Sequence, residues 1–182
     1  MPVFQCDPNV ELNGHSAYAF LNSVLHSEFS EIVAQHGLNA INREAWYPVR
    51  DVLAVLEAIA NTPNATVSLV SIGMAAAENV ALPPEALSLT PDQFFVLYEQ
   101  LYPARHRNGH AGTVRAAVLG PRAATLTLDA DVPYPDDVMY GVLYAYIHRL
   151  EPVLDFMLDY APGAPRRDQG GAETVLRVSW VG

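Results

Sequence analysis

Tyr140, Tyr144 and His148 follow one another at intervals of four residues, and this row is the part of the chain best suited to handle a ligand. On a helix, residues four apart lie along one face. Two phenols and an imidazole so arranged offer aromatic surface together with hydroxyl and ring-nitrogen hydrogen bonds, the furnishing of a small-molecule pocket. Tyr102 and Arg105 add a further hydroxyl and a guanidinium shortly before the turn at Gly109. The same tyrosine row would equally serve a half-exposed face or a dimer contact, because tyrosine is common at protein interfaces. These five residues are the candidate ligand-binding set.

Other reactive side chains form no working constellation. The six histidines include no His-x-x-His and no His-Glu-x-x-His pair. His106 and His110 are four apart, but Gly109 breaks a helix between them, so His106 is expected at a helix end, where a cationic imidazole suits the dipole. Asp129, Asp131, Asp136 and Asp137 cluster without the glycine and distal glutamate of a calcium loop. Asp136 and Asp137 instead follow Pro135 in a first helical turn, where negative charge is stabilising. Arg166 and Arg167 are expected to solvate a Pro/Gly loop. Cys6 is the only cysteine and has no histidine partner in sequence. No Gly-x-Ser-x-Gly elbow and no Gly-x-Gly-x-x-Gly loop occurs. The expectation is a non-enzyme with no catalytic residue, no metal and no cofactor.

Charge narrows the partners. All ten basic residues are arginine, against twenty acidic ones, for a net charge of −10. The absence of lysine excludes Schiff-base chemistry and a Walker phosphate loop. A chain this acidic, with no basic run, does not gather phosphate backbones or anionic membranes. No apolar stretch reaches the length of a membrane span, so a soluble, cytoplasmic protein is expected. Hydrophobic residues make up 51% and charged residues 16%, a balance that permits a large core and leaves apolar surface for a small apolar or aromatic ligand.

Residues 1–15 are polar and punctuated by Pro and Gly, and are expected to be a loose arm. Apolar residues recur at helical spacing over 16–35, with a break near His26 and Ser27 and a stop at Gly37. Pro48 suits the first turn of the next helix. Residues 65–77 are apolar on most sides and read as a central helix. Thr90-Pro91-Asp92-Gln93 carries a cap, a first-turn proline and a capping-box glutamine. Beyond Gly112 the pattern changes to alternation: Val114, Ala116 and Val118 on one side of a strand, then Leu126 and Leu128 in its partner. A helix spans 135–151, and two further strands place Phe156, Leu158 and Tyr160 on one face, and Leu176, Val178 and Trp180 on another. The loop between them, APGAPRRDQGGA, is expected to be mobile.

Three segments, EAWYPVRDVLAVLEAI, RHRNGHAGTVRAAVLGPRAATLTL and ETVLRVSW, resemble a group of uncharacterised bacterial proteins. From about Arg105 onward the chain is similar to 4-vinyl-reductase-type small-molecule-binding domains, which are akin to haem nitric-oxide-binding domains. The resemblance implies helices followed by a β-β-α-β-β unit and a ligand-binding role. The cysteines that many such domains carry before the last strand are absent from Arg166-Arg167-Asp168-Gln169-Gly170-Gly171-Ala172-Glu173. The Tyr-x-Ser-x-Arg propionate motif of the haem-binding relatives has only Tyr102-Pro103-Ala104-Arg105 as a counterpart, without the serine.

The expected architecture is α+β in one domain over residues 1–182. An N-terminal helical layer of four or five helices (16–108) precedes a β-β-α-β-β part (109–182) with a four-stranded antiparallel sheet. The expected function is a non-enzymatic small-molecule-binding or sensory, regulatory domain that takes no haem. The alternative is a protein-interaction module acting as a homodimer through Tyr140 and Tyr144.

Overall fold

The computed structural model describes residues 6–22, 24, 29–150, 152, 154–163 and 165–181. In chain order these form β1 (Glu11–Asn13), α1 (Gly14–Asn22), α2 (Ser30–Gln35), β2 (Trp46–Pro48), α3 (Val49–Ala60), α4 (Ala65–Asn79), α5 (Pro91–Ala104) and β3 (His106–Arg107). The second half contributes β4 (Val114–Gly120), β5 (Ala123–Asp129), α6 (Asp136–Leu150), β6 (Asp155–Tyr160) and β7 (Glu173–Val181). The architecture is α+β, with the expected antiparallel sheet of four strands in the order β4-β5-β7-β6. No helix among the described residues is long and apolar enough to cross a membrane.

Local chemistry accounts for the main elements. The Thr90 N–H donates to Gln93 Oε1 at 3.1 Å, closing the start of α5. In β5, Ala124, Leu126 and Leu128 are fully buried while the residues between them are half-exposed. Leu176 and Val178 of β7 and Leu158 of β6 complete the buried face. That face is roofed by α5 over β4 and β5 and by α6 over β6, where the Tyr140 hydroxyl donates to the Leu158 carbonyl at 2.9 Å.

α4 and α6 cross at a pair of glycines. A methyl group on Gly73 would collide with the Val138 carbonyl oxygen, and one on Gly141 with the Val70 carbonyl oxygen. Two opposed glycines let the backbones touch, as no other residue pair could. The near-uniform apolarity of α4 follows: it is covered by α1 on one flank and α6 on another.

Several expectations are corrected. Residues 11–13 are not part of a loose arm but the middle strand of a second, three-stranded sheet ordered β2-β1-β3. In it Glu11 lies opposite Pro48 and Arg107. The expected helix over 16–35 is two helices, α1 and α2; the break near His26 and Ser27 falls outside the described residues. Pro48 ends β2 and precedes α3 instead of sitting inside it. His106 stands at the expected end of α5, directly after its C-cap, but it opens β3 and is neutral, not a cation on the helix dipole. The loop over 161–172 contains a short 3-10 turn, Arg167–Gln169, that is tied to the helix beside it.

Candidate functional site

On α5 the fourfold spacing places Phe94, Tyr98 and Tyr102 on one buried face, and His106 extends that row into β3. Across from them stand Met139, Val142 and Tyr146 of α6, with Ala76 and Ala77 of α4 and Ser16, Ala19 and Phe20 of α1. These elements surround a cavity of about 30 Å³. It holds water-sized groups, one per roughly 10–15 Å³. Aromatic rings dominate its surroundings: the Phe94 and Tyr146 ring centroids are 5.0 Å apart, and Phe20 stacks on Tyr134 at 5.5 Å with planes 17° apart.

Among the described residues, Arg105 brings the only formal charge to this wall. It donates to Ser16 Oγ at 3.3 Å and to the Tyr146 hydroxyl at 3.2 Å. Each half-buried arginine elsewhere among the described residues meets carboxylates or carbonyls: Arg166 and Arg167 face aspartates, and Arg149 donates to the Ala77 and Val80 carbonyls. The Arg105 guanidinium has neither. Tyr98, beside it, is buried, and its hydroxyl has no hydrogen-bond partner among the described residues. Burial, then the neighbouring Tyr146, pushes the Tyr98 phenol well above its ordinary range, so it remains an O–H donor.

His106 is a neutral, oriented imidazole. Burial, with the nearby Arg105 charge adding to it, lowers its pKa to about 4. Nδ1 lies 2.9 Å from the Tyr102 carbonyl oxygen, which can only accept, so Nδ1 carries the proton. Nε2 is therefore the acceptor, and the Tyr134 hydroxyl donates to it at 2.8 Å. The Tyr102 hydroxyl, in turn, donates to the Ala111 carbonyl at 2.6 Å. Tyr102 and His106 form a wall shared with an outer groove of about 300 Å³, lined also by Glu99, Pro103, His110 and Thr113.

Of the five candidate residues, the structure brings Tyr102 and Arg105 to the cavity. Tyr140 and Tyr144 do share a face of α6, but that face meets β6: Tyr140 packs on Tyr160 at 5.4 Å and Tyr144 on Phe156 at 5.1 Å. His148 is exposed at the far end of the row. Tyr98, Tyr134, Tyr146, Ser16 and His106 were not in the candidate set. The signal for two of them was present, since Tyr98, Tyr102 and His106 repeat the spacing of four seen on α6.

A second polar cluster lies at the start of α6. Asp136, 3% exposed, accepts from Arg167 and from the Thr174 hydroxyl, the latter at 2.6 Å. Arg167 also donates to the Asp129, Val132 and Tyr134 carbonyls. Asp137 accepts from Tyr160 at 2.9 Å and Arg166 at 3.2 Å. The two arginines thus do not solvate their loop; they pin it. Among the described residues no three His, Cys, Asp or Glu side chains group as a metal site.

No family model matches the chain, and no curated protein matches it. Solved structures do. One, from work on haem distortion in the H-NOX family, superposes with a TM-score of 0.70 over 94% of this chain and 96% of its own, at 9% identity. The fold is the H-NOX fold. An oxygen-binding H-NOX domain related to soluble guanylate cyclases, solved as its oxygen complex, gives 0.67 over 93% of each chain at 9% identity. A structure that addresses the molecular mechanism of H-NOX activation gives 0.66 over 92% of this chain and 94% of its own, at 10% identity. H-NOX architecture therefore covers more than nine-tenths of this chain, whereas the residues that fill it are almost all different.

Proposed function

We propose that this chain is a ligand-binding sensory domain without enzymatic activity, and that its site is the aromatic cavity between α1, α4, α5 and α6. The observation that carries the reading is Arg105, half-buried on an apolar cavity wall with only two neutral hydroxyls to bond, beside the unpartnered Tyr98 hydroxyl. No fully buried side-chain polar atom among the described residues lacks a partner, so the spare donors of Arg105 and Tyr98 reach accessible space, where a guest can accept from them. The likeness to H-NOX domains, one of them an oxygen-binding protein, supports a ligand-binding role for the fold.

The residues present do not fit haem. The cavity is about 30 Å³, against the several hundred cubic ångströms of a pocket for a drug-sized ligand. The buried imidazole that could serve as an axial ligand has its Nε2 lone pair bonded to Tyr134, which is itself stacked on Phe20. Among the described residues Arg105 is the single cation on the wall for two propionates. The guest of this domain is a smaller organic molecule.

Native mass spectrometry of the protein purified from its own host tests the reading. The expected spectrum carries a small mass excess that disappears in Ala76→Phe, whose ring would fill the cavity. An unliganded mass in the parent protein, or an excess that persists in Ala76→Phe, would overturn it.

A further inference from the structure

We infer that the cavity selects a small carboxylate, a short-chain acid whose carboxylate is held by Arg105 and whose hydrocarbon end lies against Phe20, Met139 and Val142. This rests on the cavity being the ligand site and names the class of ligand it takes.

Three features of the wall converge on that class. First, the charge is selective by omission. The chain holds twenty Asp and Glu residues, yet among the described residues none lines the cavity, while Arg105 does. In so acidic a protein an acid-free wall around one guanidinium is a local inversion of sign, and an incoming anion meets no repelling neighbour there. Second, the donors are in surplus. Guanidinium has five N–H donors in a planar fork that matches a carboxylate, and in Arg105 only two bonds are made, both at 3.2 Å or longer. The Tyr98 hydroxyl adds a donor with no acceptor. A carboxylate supplies two oxygens able to accept from both. Third, size and polarity set the rest of the molecule. About 30 Å³ admits a head group and one or two carbons, and away from Arg105 and the hydroxyls beside it the wall is Leu, Ala, Val, Met and aromatic rings. His106 does not compete for the carboxylate as a cation, because its Nδ1–H is already bonded to Tyr102 and its Nε2 to Tyr134.

Propionate, propionamide and 1-propanol, three molecules of one size and different charge, test the assignment. Each is titrated into the full chain labelled at tyrosine, with the ring signals of Tyr98 and Tyr146 followed by NMR. Propionate is expected to bind saturably and to shift both rings, with the amide and the alcohol about tenfold weaker or worse, since charge-assisted bonds are roughly twice as strong as neutral ones. Arg105→Gln should lower propionate affinity by about tenfold or more, and Tyr98→Phe by about threefold. Should Arg105→Gln lose its fold, Tyr98→Phe, which keeps the ring, carries the comparison. Equal binding of propionamide or propanol at the same rings overturns the carboxylate assignment and leaves the pocket reading standing. Propionate affinity unchanged in Tyr98→Phe and in a folded Arg105→Gln overturns it likewise. Silence from all three ligands also overturns it, while the native mass spectrum continues to judge the pocket separately.

Discussion

The Nε2 atom of His106 and the hydroxyl of Tyr134 lie 2.8 Å apart, and this bond decides the state of the whole site. It consumes the imidazole lone pair and fixes the tautomer together with the Tyr102 carbonyl, while burial, with the Arg105 charge, keeps the ring neutral.

The first prediction concerns acid stability. The His106 pKa is about 4 in the folded chain, against 6.5 ordinarily. Between those values the unfolded chain binds a proton that the folded chain does not. The contribution is therefore complete above pH 6.5 and is lost as pH falls toward 4. The loss is on the order of 3 kcal/mol. Urea unfolding across this range should show it, and His106→Gln should flatten the slope. An unchanged slope in that variant would refute the burial of a neutral His106.

Haemin gives the second. Added to the purified protein at one equivalent, it should produce no sharp, saturable Soret shift, because Nε2 of His106 is engaged and the space is too small. A stoichiometric Soret band abolished by His106→Ala would show that Tyr134 yields its place to iron.

The third concerns the buried ion pair. Asp136→Asn leaves Arg167 without its carboxylate in a site where the aspartate is 3% exposed. Removing one partner of a buried pair costs about 3–5 kcal/mol, and the loop over 161–172 should become sensitive to trypsin at Arg166 and Arg167. A loss below about 1 kcal/mol, with the loop still resistant, would count against the pairing.

The fourth concerns the helix crossing. Gly73→Ala and Gly141→Ala should each destabilise by about 3 kcal/mol or more, since the added methyl meets backbone that has no rotamer to escape into. Gly120→Ala, with open space around it, should stay within about 0.5 kcal/mol of the parent. Thermal unfolding of the three variants side by side separates the cases.

How much of this was legible depends on where the information resides. The period-two alternation through Leu126 and Leu128, and the Thr90-Pro91-Gln93 start of α5, are local, so the four-stranded sheet and its helices could be read directly. β1, β2 and β3 could not. Each is two or three residues long, too short for a period, and Glu11 finds Arg107 only because the fold brings together residues 96 apart. The same holds for His106. Its spacing from Tyr102 marks a shared face, but the sign of its pKa shift is set by burial under Tyr134, twenty-eight residues on. On α6 the row Tyr140, Tyr144, His148 was correctly placed on one face; which neighbour that face meets is a tertiary fact, and here it is β6. Arg166 and Arg167 looked like solvation because Pro and Gly surround them, and only the position of Asp136 and Asp137 turns them inward.

The glycine crossing of α4 and α6 has a mechanical meaning for the pocket. Ala76 and Ala77 stand one turn beyond Gly73, and Met139 and Val142 flank Gly141. A third of the wall is thus carried on two backbones already in contact, a fixed jaw with no compliance left. Any guest larger than the resting cavity must be accommodated by the opposite jaw, where α1 supplies Ser16 and Phe20 and the α5–β3 junction supplies Tyr102 to His106. β3 is hydrogen-bonded to β1, and α1 follows β1 directly. The yielding parts of the wall are consequently linked to one another through the three-stranded sheet, and α5 carries the same wall onto β4 and β5 of the four-stranded one.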